Sequence, residues 1–327
     1  MMKKKLRSIN GLMVHLRKSG VQISGSRQKR QLINDGYYHG YKGYRFNHNP
    51  ANRIPFTDYG QISALIELDR NLKAVFYPQI MFVETALKNM TLEVILKEGK
   101  SDKFNDIFDN LIVNGPLPKN ANHDDRNDFQ NKLDLRNKIY SAISGAFKSG
   151  NPMVRHFYTR DDYVPIWAIF EIISLGEFGN FLKSLRSQTR STISKNIGLY
   201  QPCDSDAKLV CSIVFLLTDI RNAVAHNGTI FDTRFKKSSI GTALTQSLVL
   251  ETGIAAIDFK SIVDFLILLI YLLKKLKVSK TDLRKHVQQF ESHIDSFHSK
   301  VPMNIYMSII HSDTKKKITA LKAFIKK

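Results

Sequence analysis

Cysteine is almost absent from this chain. Cys203 and Cys211 alone form neither a disulfide framework nor a metal-ligand spacing, and usage so sparse suits a reducing cytosol. Long hydrophobic runs are missing as well. The most apolar stretch, "FLILLIYLL" at 265–273, is too short to span a bilayer and sits between Asp264 and Lys274-Lys275, so it reads as a buried helix. The N-terminus begins with lysines, but His15 and Arg17 interrupt it before any apolar region forms, which argues against a signal peptide. Strand signals, meaning alternating β-branched residues closed by Asn-Gly or Asp-Gly turns, are nearly lacking. Acids are scarce too, with 29 Asp and Glu against 49 Lys and Arg. Together these absences leave a soluble, cytoplasmic, helical protein with a surplus of positive charge.

That surplus is unevenly placed. Residues 1–45 carry eleven Lys and Arg against one acid, and residues 274–327 carry thirteen against four, so +19 of the net +20 lies at the two ends. Basic extremities around a nearly neutral body suit a protein that grips a polyanion. Two other readings stay open, ends that serve solubility alone and ends that meet an anionic membrane. On the polyanion reading, the candidate RNA contacts near the start are Lys3, Lys4, Lys5, Arg7, Arg17, Lys18, Arg27, Lys29, Arg30, Lys42 and Arg45. Those near the end are Lys274, Lys275, Lys277, Lys315, Lys316 and Lys317.

Helical periodicity predicts an all-α bundle with a basic, Tyr-rich N-terminal extension (residues 1–55) and basic C-terminal helices. The helical domain covers 56–327, with a polar, Asn/Asp-rich loop or insertion near 98–130. A long amphipathic pattern runs from 59 to 97, with Pro78 marking a kink or break. Further helices are expected at 131–149, 164–185, 255–277 and 281–299, with a short basic one at the tail. Trp167, after Pro165, reads as core. Tyr37, Tyr38, Tyr41 and Tyr44 alternate with His39, Lys42 and Arg45 and suit either base stacking or core packing. His286, His293 and His298 miss the spacing that metals prefer and read as a solvated face.

The segment "DSDAKLVCSIVFLLTDIRNAVAHNG" predicts one helix, capped by Asp204 or Ser205 and ended near Gly228. Leu209, Ile213, Leu216, Leu217, Ile220 and Val224 form its core stripe. Where that stripe ends, Arg221, Asn222 and His226 arrive together. A histidine that moves protons and an arginine fork that binds phosphate oxygens suit cleavage of RNA, whose 2′-hydroxyl is a built-in nucleophile. On spacing alone, a helix-end histidine capping carbonyls beside an Arg221–Asp219 salt bridge is the better account of the cluster.

The string "RNAVAH" resembles the R-N-x-x-x-H motif of the HEPN superfamily, all-α proteins that are frequently metal-independent ribonucleases. The wider sequence is similar to the Abi-like (AbiD/AbiF) abortive-infection family. The similarity rests on the Tyr-Tyr and Gly-Tyr block at 18–46, the "LDRNL" helix at 65–89, the block at 154–182 and "IRNAVAHNG". The resemblance implies a HEPN-like bundle and an endoribonuclease toxin of an anti-phage or toxin–antitoxin system, acting without a cofactor and restrained by a structured non-coding RNA. It assigns Arg221 and His226 as catalytic, with Asn222 and Glu84 in support. Glu84 paired with Lys88 is the plain alternative. Where relatives carry an arginine soon after the histidine, this chain has none before Arg234. HEPN nucleases join two Arg/His pairs, and this sequence has one Arg-x(4–6)-His, so a homodimer with a composite site is expected. An RNA-binding protein without catalysis, in which the motif serves binding or dimerisation, is the second reading, and a protein-interaction subunit the third.

Overall fold

The structure is a computed structural model describing residues 8–113, 117, 119–160, 162–199 and 202–327. Lys3, Lys4, Lys5 and Arg7 lie outside the described residues. Among those described there are α-helices and two π-helical turns, and no strand beyond three isolated bridges. The all-α reading therefore holds.

Two helices, α1 (Ile9–Lys18) and α2 (Gly25–Asp35), lead into a π-helical turn, Gly36–Lys42, and then to the axis of the bundle, α3 (Tyr59–Gly99). Asp58 starts α3 with a capping box closed by Gln61. The helix runs through Pro78 without a break. Pro78 and Ala74 are both exposed, so the Ala74 carbonyl that loses its partner is accessible to water, while buried residues on either side hold the helix.

The region expected to be a loop is partly helical. Phe104, Ile107, Phe108, Leu111 and Ile112 are buried along α4 (Phe104–Ile107) and a second π-helical turn, Phe108–Val113. The next helix, α5 (His123–Lys148), begins earlier than expected because Asn122 and Asp125 cap each other's backbone. Then follow α6 (Pro152–Tyr158), α7 (Ile166–Ile172) and α8 (Leu175–Ser184). The last two are separated by Ser174, which caps α8, so the helix expected over 164–185 is two. Trp167 is 43% exposed, edge-on to Phe157, and is not a core residue.

After α9 (Ser187–Ile197), α10 (Leu209–Ala225) buries Leu209, Ile213, Leu216, Leu217 and Ile220 as the stripe predicts, with Val224 partly buried. Asp204 accepts the amides of Lys208 and Leu209 at the helix start. The chain closes with α11 (Thr242–Thr252), α12 (Ile262–Lys275), α13 (Lys280–Lys300), α14 (Met303–Ile309) and α15 (Thr314–Lys326). Every residue of α12 from Ile262 to Leu273 is buried, as the apolar run requires. Helices α9, α10, α12 and α13 all pack on α3. Leu16, Val21, Ile23 and Leu32 of the N-terminal segment join the same hydrophobic cluster. No helix of the described residues is long and apolar enough to cross a membrane.

Candidate functional site

The C-terminal end of α10 is a Schellman motif. Gly228 N–H donates to the Ala223 carbonyl (2.6 Å) and Asn227 N–H to that of Val224 (3.1 Å), with Asn227 in the left-handed region. A Cβ on Gly228 would come within 3.2 Å of the Ala223 oxygen, so a larger residue would push the turn outward by a few tenths of an ångström. This stop leaves His226 exposed, its side chain without a hydrogen bond or ion pair among the described residues.

Beneath it, α3 supplies a buried hub. Asp69 is fully buried and accepts four groups. Oδ1 takes the amides of Ile230 and Phe231 at 2.8 Å each, while Oδ2 takes the Tyr44 hydroxyl and pairs with Lys73, also at 2.8 Å. Lys73 also donates to Asn227 Oδ1 at 2.9 Å, one residue past His226. One carboxylate thus ties α3, the N-terminal segment and the loop after α10 together, and the position of His226 follows from it.

Arg234 completes the clasp. Its guanidinium pairs with buried Asp232 and donates to the carbonyls of Gly43 and Phe46, lying 4.2 Å from the Phe46 ring centre. The arginine after the motif is therefore structural in this chain. Tyr44 stacks on Phe231, and burial pushes its phenol far above the ordinary range. Tyr41 is buried as well, so these two tyrosines are core. Tyr38 differs, being 73% exposed with Lys42 5.4 Å from its ring.

A cleft of about 490 Å³ opens where the π-helical turn faces the end of α10. His226, His39, Tyr38, Asp35, Arg70 and Lys73 line it, while Arg221 and Asn222 do not. Four potential cations therefore face one acid. Burial pushes the Asp35 carboxyl upward, against the pull of Arg70, which weakens its opposition to an anion. Asn34, Asp35 and Arg70 also line a larger groove of about 1070 Å³, bordered by Arg27 of α2 and Lys300 of α13. Asp58 and Glu67 line it too, and Lys300 pairs with Glu67 at 2.8 Å, so the cations that the N-terminal and C-terminal parts of the chain place there are matched by acids.

Arg221 sits back from the cleft. Its Nε lies 3.9 Å from Glu84 Oε2, neither atom has a hydrogen-bond partner, and Nη1 donates to Asn222 Oδ1 at 3.1 Å. Glu84 is buried and its Oε1 pairs with Lys88 at 2.9 Å, so it has the partner expected of a helix-face carboxylate and faces Arg221 as well. The Arg221–Asp219 salt bridge does not form. Asp219 instead accepts the amides of Lys237 and Ser238.

The proposed RNA contacts divide. Arg17, Lys18, Arg27, Arg30, Arg45, Lys277, Lys315 and Lys316 are exposed, and Lys29 and Lys42 partly so. Lys317 is a correction. It is 4% exposed and held by Asp264 and Asp313, a core ion pair that a polyanion cannot reach. Lys274 donates to the Phe324 carbonyl and Lys275 pairs with Glu251, so both are engaged within the fold. Sequence reasoning passed over Asp69, Arg70, Lys73 and His39 as site residues. The i,i+4 spacing of Asp69 and Lys73 was the visible signal for the first pair.

Searches of curated proteins and of solved structures find no match to the chain. The profile described as Abi-like protein matches residues 30–232, a span that takes in the tyrosine turn, the Asp69 hub, Glu84 and the end of α10. With well over half its length matched, this chain belongs to the Abi-like family.

Proposed function

We propose that the protein is an endoribonuclease that cleaves RNA by attack of the 2′-hydroxyl on the adjacent phosphate, without a metal ion. Membership of the Abi-like family suggests a role in abortive infection. The observation that carries the reading is the exposed His226 imidazole, without a hydrogen bond or ion pair among the described residues, on the wall of a cleft that also presents Arg70 and Lys73. Histidine moves protons near neutral pH, and fixed cations stabilise charge that develops on the phosphorus oxygens. Arg221 acts as the clamp on that charge, steadied from behind by Glu84 and at its side by Asn222. The expected product is a 2′,3′-cyclic phosphate with a 5′-hydroxyl on the other fragment. A cognate structured RNA restrains the toxin by gripping exposed basic side chains such as Arg27, Arg30, Lys315 and Lys316, and the chain pairs as a homodimer that sets two Arg221/His226 helix ends side by side.

One observation favours a different reading. Arg221 lies outside the cleft and faces a buried carboxylate, which suits an RNA-binding protein whose motif is structural. Expression of wild type, Arg221→Ala and His226→Ala separates the two. On the nuclease reading the wild type arrests growth and fragments RNA, purified protein cleaves in the presence of a chelator, and both variants lose at least about 100-fold in rate. If all three chains behave alike and carry intact RNA through purification, the binding reading replaces it.

A further inference from the structure

Cleavage by 2′-hydroxyl attack moves two protons. A base takes the proton of the 2′-hydroxyl as its oxygen bonds to phosphorus, and an acid protonates the 5′-oxygen as the phosphorus–oxygen bond to it breaks. His226 can perform one of these transfers. We propose, resting on the ribonuclease reading above, that His39 performs the other, so that a single chain holds both proton-transfer groups of the cleft.

The argument is one of placement. His39 is carried by the π-helical turn on the wall of the same 490 Å³ cleft that His226 lines from the end of α10. Both imidazoles are exposed, and neither side chain has a hydrogen bond or ion pair within the described residues. The turn that carries His39 is a built feature. Gly36 adopts φ +75°, a conformation that favours glycine, and a Cβ on Gly40 would come within 3.1 Å of the Asp35 side chain, which would have to give way by a few tenths of an ångström. Such π-turns recur at functional sites.

The turn is also fastened to the segment that follows His226. Arg234 holds the Gly43 carbonyl at 2.9 Å, while Tyr44 bonds Asp69 and stacks on Phe231. Asp69 in turn holds the amides of Ile230 and Phe231. The two histidines therefore stand on elements locked to one hub, the preorganisation that proton transfer across a cleft requires.

Two of the other titratable groups of the cleft are committed within the fold. Lys73 is held between Asp69 and Asn227, and the Tyr44 hydroxyl is committed to Asp69. Arg70 carries a guanidinium, a side chain that binds anions by donating hydrogen bonds. Asp35 and the Tyr38 phenol are the rival proton-transfer groups, and Asp35→Asn and Tyr38→Phe are the controls, each expected to keep both limbs of the profile.

The test uses the full-length protein freed of nucleic acid, with a labelled single-stranded RNA and a chelator, from about pH 5 to about pH 9. Wild type is expected to give a bell-shaped rate profile. His39→Gln and His226→Gln should each lower kcat by about 100-fold or more and remove one limb of the bell, with KM changed by less than about threefold. Asp35→Asn should keep both limbs. Mixing the two histidine variants should restore nothing, because both groups are needed in the same chain. Cleavage that needs His226 but keeps its bell in His39→Gln overturns this proposal alone, as does loss of a limb in Asp35→Asn with His39→Gln unaffected. Recovery on mixing places the two histidines in different copies and also overturns it. A wild type that leaves RNA intact overturns the ribonuclease reading and this inference with it.

Discussion

The chain contains two fully buried aspartates of the same design in two different regions. Asp69 on α3 accepts the amides of Ile230 and Phe231 and pairs with Lys73, while Asp264 on α12 accepts those of Asp258 and Phe259 and pairs with Lys317. Each fastens a loop to a helix by presenting a carboxylate to two backbone donors and a lysine. The difference lies in what the fastened loop borders. The Asp69 loop follows His226, and its lysine is shared with Asn227 and lines an open cleft. The Asp264 loop carries Ala256 and Phe259 in the left-handed region, and its lysine is shared with Asp313 and closed off from solvent. The same device thus positions a candidate active site in one region and holds a strained turn against α15 in the other. Burial and bonding alone therefore do not mark a site, whereas an adjoining cleft with unpartnered titratable groups does.

The hub beneath the cleft gives the largest expected effect. In Asp69→Asn the amide nitrogen or oxygen must replace an oxygen that now accepts from Lys73 and Tyr44. One orientation sets donor against donor, and the other strands the Ile230 and Phe231 amides. Breaking a buried pair of this kind costs about 3–5 kcal/mol, a large part of the stability of an ordinary domain. Urea unfolding should show that loss. RNA cleavage should fall further than the folded fraction does, because the loop after His226 is released. Cleavage that merely tracks the folded fraction would remove the distinction between the two aspartates.

Lys317→Met tests the other half. It leaves Asp264 with its two amides but without its cation, at a similar cost of about 3 kcal/mol. Activity and RNA affinity per folded molecule should stay at the wild-type level. A loss of RNA affinity in folded Lys317→Met protein would return Lys317 to the contact surface assigned to it from sequence and break the comparison from that side.

Lys317 also shows where the sequence was legible. Thr314, Lys317, Ile318, Leu321, Phe324 and Ile325 are buried at helical spacing, so the lysine falls on the apolar face of its own helix. Read as one of three consecutive lysines it looked like surface, because the carboxylate that admits it to the core lies on α12, far away in sequence. The stripe of α10, the stop at Gly228 and the buried α12 were readable because each depends on neighbours within a few turns. Trp167 was misread because exposure, not residue type, settles its role, and exposure depends on packing between helices. The meeting of His39 with His226 was illegible for the same reason. It depends on Asp69, Arg234 and Tyr44 joining three distant segments, a long-range arrangement without a local period.

The smallest expected effect concerns α13, which packs on both α3 and α15 and so borders both regions. Burial pushes His286 and His293 below the ordinary imidazole value, against the upward pull of Asp282 on His286 and of Glu67 on His293; Lys285 adds to the lowering at His286. The unfolded chain therefore binds protons at these positions more readily than the folded one. Stability is fully present above about pH 6.5 and declines as the pH falls below it. Both rings are partly solvated, so screening keeps their joint contribution under about 1 kcal/mol. Asp35, Asp204 and Asp264, pushed upward by burial, act in the opposite sense on acidification. The urea midpoint should drop modestly between about pH 7.5 and about pH 5.5, and a His286→Gln, His293→Gln double variant should flatten that slope. A slope unchanged in the double variant would assign the acid sensitivity to other groups. A cleavage profile that keeps its limbs in the double variant would separate proton transfer in the cleft from proton binding on α13.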